Sequence, residues 1–176
     1  IVEFEGIRHH GGLEDLVRGE VLDLIRPHPG EQAGNRNPGQ GRLGVGVFAV
    51  NAGVNFTVQN LTIANGMSAL SGGAIHNFGA LTVTNSALTG NYARYLGGAI
   101  FSSEGMLTVT NSTFSGNRAR GFGGGAISNV GALTVTNSMF SDNGGNEGGA
   151  IFNNGMLTVT NSTFSANIAS VGGAII

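Results

Sequence analysis

From residue 46 onward, apolar and polar positions alternate in short runs separated by Gly, Asn and Ser. Leu-Thr-Val-Thr-Asn-Ser recurs at Leu81–Ser86, Leu107–Ser112, Leu133–Ser138 and Leu157–Ser162. In an extended chain Leu and Val fall on one side and both threonines on the other, a period of two that predicts a half-buried strand. Val54–Ile63 is a degenerate earlier copy, with Phe56 and Val58 in the Leu and Val places. A hydrophobic-x-x-Asn tract follows each copy, at Leu88–Asn91, Phe114–Asn117, Phe140–Asn143 and Phe164–Asn167. Gly-Gly-Ala-Ile begins at Gly72, Gly97, Gly124, Gly148 and Gly172, in steps of 25, 27, 24 and 24 residues.

Runs this short suit strands and not helices. A unit of about 25 residues is too small to bury a core alone, so its copies must stack. Three short strands per unit predict an all-β fold, a parallel β-helix of about five coils over residues 46–176. The right-handed form is expected from the handedness of parallel crossovers. Like residues then lie over like, giving interior files of Leu81/107/133/157, Val83/109/135/159, Ile75/100/127/151/175 and Leu88/Phe114/Phe140/Phe164. Each Gly pair is expected to supply a corner with positive φ or a close backbone approach. Asn85/111/137/161 and Asn91/117/143/167 are expected to form structural corner ladders.

Residues 1–45 break the pattern and are read as an N-terminal cap. Residues 1–7 alternate, with Val2 and Phe4 on one side, as an edge strand would. Leu13, Leu16, Val17, Val21, Leu24 and Ile25 make a helical stripe over Leu13–Arg26, stopped by Pro27. Gly19 works against a helix, and Val21–Ile25 also reads as a strand. Residues 27–43, rich in Pro, Gly, Asn and Gln, read as a loop. Ile1 in place of Met implies processing or truncation. At the other end Gly172, Gly173, Ala174, Ile175 and Ile176 are expected to leave a coil edge open to continuing chain or to a partner. Contact of that edge with Val2 and Phe4 of another copy would join chains head to tail into a filament.

Composition narrows the chemistry. Gly is 32 of 176 residues, about 18%, and only 10% of residues are charged. There is no Cys, no Trp and no Lys, and the net charge is -2. Thiol chemistry is excluded, and no basic footprint for nucleic acid is present. No apolar run reaches the ~18 residues that span a bilayer. Residues 54–176 hold three carboxylates, Glu104, Asp142 and Glu147, and three arginines, Arg94, Arg118 and Arg120. Glycoside hydrolysis needs two carboxylates flanking one bond, and polysaccharide lyases need Asp clusters with Lys or Arg. Asp142 and Glu147 share a turn without an evident partner and read as turn residues. Arg94 and Arg118 fall at similar points of consecutive coils and read as solvated or as a small basic patch. His9 and His10 lack further metal-ligand partners, and His76 is expected to face outward alone. No catalytic residue, metal or cofactor is assigned.

One array stands apart. Thr82/Thr84, Thr108/Thr110, Thr134/Thr136 and Thr158/Thr160 are expected to make two outward files, ~4.8 Å apart between coils and about 6.6 Å along a strand. Such a grid of methyl and hydroxyl groups resembles the Thr-x-Thr files of ice-binding proteins. It is also what any strand with an exposed face would favour.

The paired Gly-Gly-Ala-Ile and Phe-x-x-Asn tracts resemble those of chlamydial polymorphic outer-membrane proteins and other bacterial autotransporter-like passengers. The resemblance covers residues 46–176. It implies export, display outside the cell or on its surface, and adhesion to a cell-surface or polysaccharide ligand. No membrane barrel and no cysteine accompany the repeats here, and no catalytic residue carries across. The expectation is a non-enzymatic extracellular structural or adhesive solenoid, able to stack end to end. Ice binding is the second reading and a carbohydrate-active enzyme the third.

Overall fold

The computed structural model describes the backbone of residues 15–18 and 21–23 and the whole of residues 47–176. The chain is an all-β solenoid of parallel stacked coils. Each coil runs through up to four short strands, and each strand pairs with its copies in the neighbouring coils. Sheet A stacks Asp15–Arg18, Asn55–Gln59, Ala80–Thr84, Met106–Thr110, Ala132–Thr136 and Met156–Thr160. Sheet B stacks Val21–Asp23, Thr62–Ala64, Ala87–Thr89, Thr113–Ser115, Met139–Ser141 and Thr163–Ser165. Sheet C stacks Phe48–Val50, Ile75–Asn77, Ile100–Ser102, Ile127–Asn129 and Ile151–Asn153, and Ile175 bridges to Ile151 beyond them. Sheet D is shorter, with Met67–Ser68, Tyr92–Ala93 and Arg118–Ala119, continued by bridges from Arg118 to Gly144 and from Gly144 to Ile168.

The expected interior files are in place. Leu81, Leu107 and Leu133 pair in sequence, as do Val83, Val109 and Val135, and all six are buried. Ile75, Ile100, Ile127 and Ile151 have no exposed surface. Phe114, Phe140 and Phe164 stack with ring centroids 4.8 and 4.9 Å apart and planes 7° from parallel. That spacing is the strand repeat itself, so the backbone sets the ring stacking. Leu88 and Ile63 continue the file where the coil supplies a smaller side chain.

Three polar ladders close the corners. Asn91, Asn117, Asn143 and Asn167 form an interior chain in which the Oδ1 of Asn117, Asn143 and Asn167 accepts from both the backbone N–H and the Nδ2 of the asparagine one coil earlier, at 2.9–3.1 Å, and Asn91 Oδ1 accepts from Gly66 N at 2.8 Å. Ser86, Ser112, Ser138 and Ser162 do the same with hydroxyls, each Oγ accepting from the preceding coil's serine N–H or, for Ser86, from Leu61 N. Burial of these side chains is tolerated because every rung meets its donors and acceptors. Asn85, Asn111, Asn137 and Asn161 take the third role as left-handed corners, φ 47–49°. Asn is among the few side chains that accept that conformation.

The glycine corners serve both expected purposes. Gly72, Gly97, Gly148 and Gly172 have positive φ. Gly98 is different: a Cβ there would collide with the carbonyl oxygen of Gly125 in the next coil and with the Arg118 backbone.

The expected helix over Leu13–Arg26 is not formed at Asp15–Arg18 or Val21–Asp23. Both are strands, paired in register with Phe56–Gln59 and Thr62–Ala64. The neighbouring coil offers unpaired strand edges, and pairing with them outweighs a local apolar stripe. The strand reading holds for Val21–Asp23. Val2, Phe4, His9, His10 and the expected loop at 27–43 lie outside the described residues.

Candidate functional site

The outward threonines stand where alternation places them. Thr82, Thr108, Thr134 and Thr158 pair in one file and Thr84, Thr110, Thr136 and Thr160 in the other. Thr57 extends the first file by a coil, and Gln59 occupies the corresponding place in the second. Sequence reading missed Thr57 because Phe56 and Gln59 disguise its copy of the repeat. Beside these files a third outward row reads Asn55, Ala80, Met106, Ala132 and Met156. Met106 and Met156 are largely exposed and rise beside the hydroxyl grid. Around the corner, Asn60, Asn85 and Asn111 line a shallow open groove of about 500 Å³ with Thr62, Ser86, Ala87 and Thr113. Asn111 Nδ2 donates to Asn85 Oδ1 across it, at 3.2 Å. This surface is hydroxyl- and amide-rich and uncharged.

Sheet C carries a second surface. His76 faces outward as expected but does not stand alone. Its ring stacks on Phe78 with centroids 4.2 Å apart and tilts against Phe101 at 4.9 Å. His76 Nε2 is buried without a hydrogen-bond partner, and burial lowers the imidazole pKa below its ordinary 6.5. Desolvation disfavours the charged ring, so the neutral form is the one this packing suits. The file continues from Phe101 to Ser128 and Phe152. Ser128 is nevertheless buried, because the wide turn at Gly123–Gly124 folds over it and Gly124 N donates to its Oγ at 3.0 Å.

Sheet D gathers the arginines of the repeats. Tyr92 pairs with Arg118, and Ala93 with Ala119, so the residue beside Arg94 is Arg120. The expected Arg94–Arg118 correspondence is thereby corrected. The strand copies here lie 26 residues apart, and the 24-residue spacing of Arg94 and Arg118 is off register by two. Arg94 lies against the Tyr95 ring, its guanidinium carbon 5.5 Å from the centroid. Tyr92, Arg118, Ala119, Arg120, Gly144, Gly145 and Ile168 enclose a groove of about 270 Å³.

Asp142 sits at a left-handed corner, φ 56°, and Glu147 bridges to Val171. Glu104 lies in the turn after Ile100–Ser102. Among the described residues no group of three or more His, Cys, Asp or Glu is placed to hold a metal ion. No helix among them is long and apolar enough to cross a membrane.

The residues expected at a polymer contact divide. Val2 and Phe4 are not described. Gly172–Ile176 adds a last bridge to sheet C, with Gly172 and Gly173 both at positive φ. In this last coil Leu157, Phe164 and Ile175 are only partly buried and Val159 is 37% exposed, whereas their copies one coil earlier are buried.

No family model, no curated protein and no solved structure matches the chain.

Proposed function

We propose that this chain is a non-enzymatic structural and adhesive solenoid working outside the cell or on a bacterial cell surface. The observation that carries the reading is repetition of one outward chemistry in register over consecutive coils, best seen in the paired threonine files. Such a face presents the same weak contact at every strand repeat. Contacts of this kind multiply through effective concentration once the first is made. The ladders beneath hold the spacing rigid, so little ordering entropy is lost on binding. Head-to-tail stacking belongs to the same proposal: another coil laid on Met156–Thr160, Thr163–Ser165 and Ile175 would cover Leu157, Val159 and Phe164.

The test is binding of labelled protein to bacterial cells, host cells and insoluble polysaccharides, compared with a variant lacking one coil, residues 133–156. Retention that falls steeply with the lost coil supports a repetitive contact surface. Unchanged retention, or turnover of any polysaccharide in the panel, refutes it. Electron microscopy at high concentration reports stacking, with rods longer than one chain expected and isolated short rods counting against it.

A second reading, ice binding, is favoured by one specific observation: the two threonine files stay in register over four coils, with Thr57 adding a fifth to one. Thermal hysteresis in the parent protein, lost in Thr110→Lys/Thr136→Lys, would establish it. Absence of hysteresis in the parent ends it.

A further inference from the structure

We propose that the groove on sheet D is a binding site for an acidic polysaccharide, holding the carboxylates of uronic acid residues. The proposal deepens the adhesive reading and rests on it.

Three arginines, half of the charge in residues 54–176, converge on one short face. Arg94 and Arg120 are axial neighbours, one residue beyond the Ala93–Ala119 pair, and Arg118 precedes Arg120 by two on the same outward side. All three are exposed, and among the described residues none has a carboxylate within ion-pair distance. Like charges on adjacent strands oppose folding. Nothing in the fold of this face requires them, since the strand positions need only an outward side chain.

The floor of the groove is built for access. Gly144 takes the file position below Tyr92 and Arg118, and a side chain there would meet the Arg118 guanidinium, with Nη1 2.8 Å from the place of its Cβ. The Arg118 head group therefore sits in the notch that glycine leaves in place of a side chain. Gly145 continues the floor, Tyr92 and Ile168 supply apolar flanks, and Arg120 forms the polar edge. A volume of about 270 Å³ falls just below the roughly 300–1,000 Å³ of drug-sized pockets and suits one sugar ring of a chain lying across the surface.

The chemistry follows from the donors. A guanidinium presents a planar fork that matches a carboxylate with two parallel hydrogen bonds. Tyr92 and Ile168 offer surface to the C–H face of the ring. Arg118 and Arg120 line the groove, and Arg94 lies one coil before Arg120, outside that lining and against the Tyr95 ring, where it adds to the positive field met by an approaching polyanion. A nucleic acid fits less well: three cations on a chain of net charge -2 give it little to track along.

The experiment is calorimetric titration of the intact chain with an oligogalacturonate, a sulfated glycosaminoglycan fragment of equal length, a neutral dextran oligosaccharide and single-stranded DNA. Binding is expected for oligogalacturonate, weakened by salt because exposed charges are screened beyond about 10 Å at 0.1 M. Arg94→Gln/Arg118→Gln/Arg120→Gln should weaken it by tenfold or more, with an unchanged circular dichroism spectrum and a melting midpoint no lower than the parent's. Arg118→Lys, which keeps charge but loses the fork, should give an intermediate loss. Gly144→Val, which fills the notch, should weaken binding with all three charges present. No binding to oligogalacturonate, binding to the sulfated chain or DNA alone, or a triple variant that binds as the parent does overturns the proposal. A parent that ignores oligogalacturonate yet still adheres to cells with coil-dependent retention overturns this site and leaves the adhesive reading standing.

Discussion

Asn117→Ala probes the ladder on which the coil stacking rests. The side chain is fully buried and makes four hydrogen bonds. Its Oδ1 accepts from Asn91 N at 3.0 Å and from Asn91 Nδ2 at 2.9 Å. Its Nδ2 donates to Leu88 O at 2.9 Å and to Asn143 Oδ1 at 3.0 Å. Alanine removes all four. The Asn91 Nδ2 keeps Ile63 O, and Asn143 Oδ1 keeps the Asn117 backbone N–H, so those groups are only weakened. The buried Asn91 N–H loses the acceptor that Asn117 supplies. An orphaned buried donor costs about 1–3 kcal/mol and each further lost bond about 0.5–1.5, in all about 3–7 kcal/mol. That is a large part of the roughly 5–15 kcal/mol that holds a typical domain folded. Asn111→Gly serves as the control, because Asn111 is an exposed corner at φ 49° that glycine adopts freely. The assay is urea unfolding followed by circular dichroism, with amide exchange read at Asn91. A loss below about 1 kcal/mol for Asn117→Ala, with the Asn91 amide still protected, would refute the argument that the ladder stabilises the stack.

Gly98→Ala should destabilise by several kcal/mol or prevent folding, because its Cβ meets backbone of the next coil, which cannot move without breaking register; a soluble, normally melting variant would show that the close approach is dispensable. Thr110→Lys/Thr136→Lys should shift stability by no more than about 1 kcal/mol per site, since both side chains point outward and only like-charge repulsion between paired positions is added; loss of cooperative melting would mean the face is structural. The lowered His76 pKa makes stability depend on pH with a definite sign. The unfolded chain takes up a proton near 6.5 and the folded chain only at lower pH, so this contribution is intact above 6.5 and declines as pH falls from there through the lower folded value. His76→Phe keeps the ring packing and should lose less stability than the parent between about pH 7.5 and 5.5 by urea midpoint; equal losses would remove His76 from the account.

The repeated part of the fold was legible because its information is local and redundant. Alternation in Leu-Thr-Val-Thr identifies the strand and its buried side, and the same tract recurring at one coil's distance identifies its partner. The first coil was not legible by the same means. Register places Asp15 opposite Phe56 and Val17 opposite Val58, so one of the two inward file positions is polar in sequence and the tract loses its signature. A usable signal was present all the same. Two residues separate Arg18 from Val21 in the sequence, as two separate Gln59 from Thr62 in the next coil. The sites were harder to read than the fold because each joins residues about 25 apart. His76 meets Phe101 and Arg94 meets Arg120 only after the turns between them are counted correctly.

Those turns also explain where specific chemistry can arise. From the first sheet D residue to the following glycine corner, the chain takes five residues at Met67 and Tyr92, six at Arg118 and four at Gly144 and Ile168. The turn from sheet C to sheet A varies as well, taking six residues from Ile100 to Met106 but five from Ile75, Ile127 or Ile151 to the next sheet A strand, and the strands of sheets A, B and C keep register throughout, so length variation is absorbed in the turns on either side of sheet C and costs the core nothing. Interior files are fixed by stacking: Val over Val, Asn over Asn, Ser over Ser. The outward file of sheet D has no such requirement and differs at every coil, as Met67, Tyr92, Arg118, Gly144 and Ile168. Uniform files can bind only what repeats with the coil. A file that changes at every step presents a single, unrepeated arrangement of groups, and in this chain that arrangement is the one that holds the cations, an aromatic ring and an open floor together.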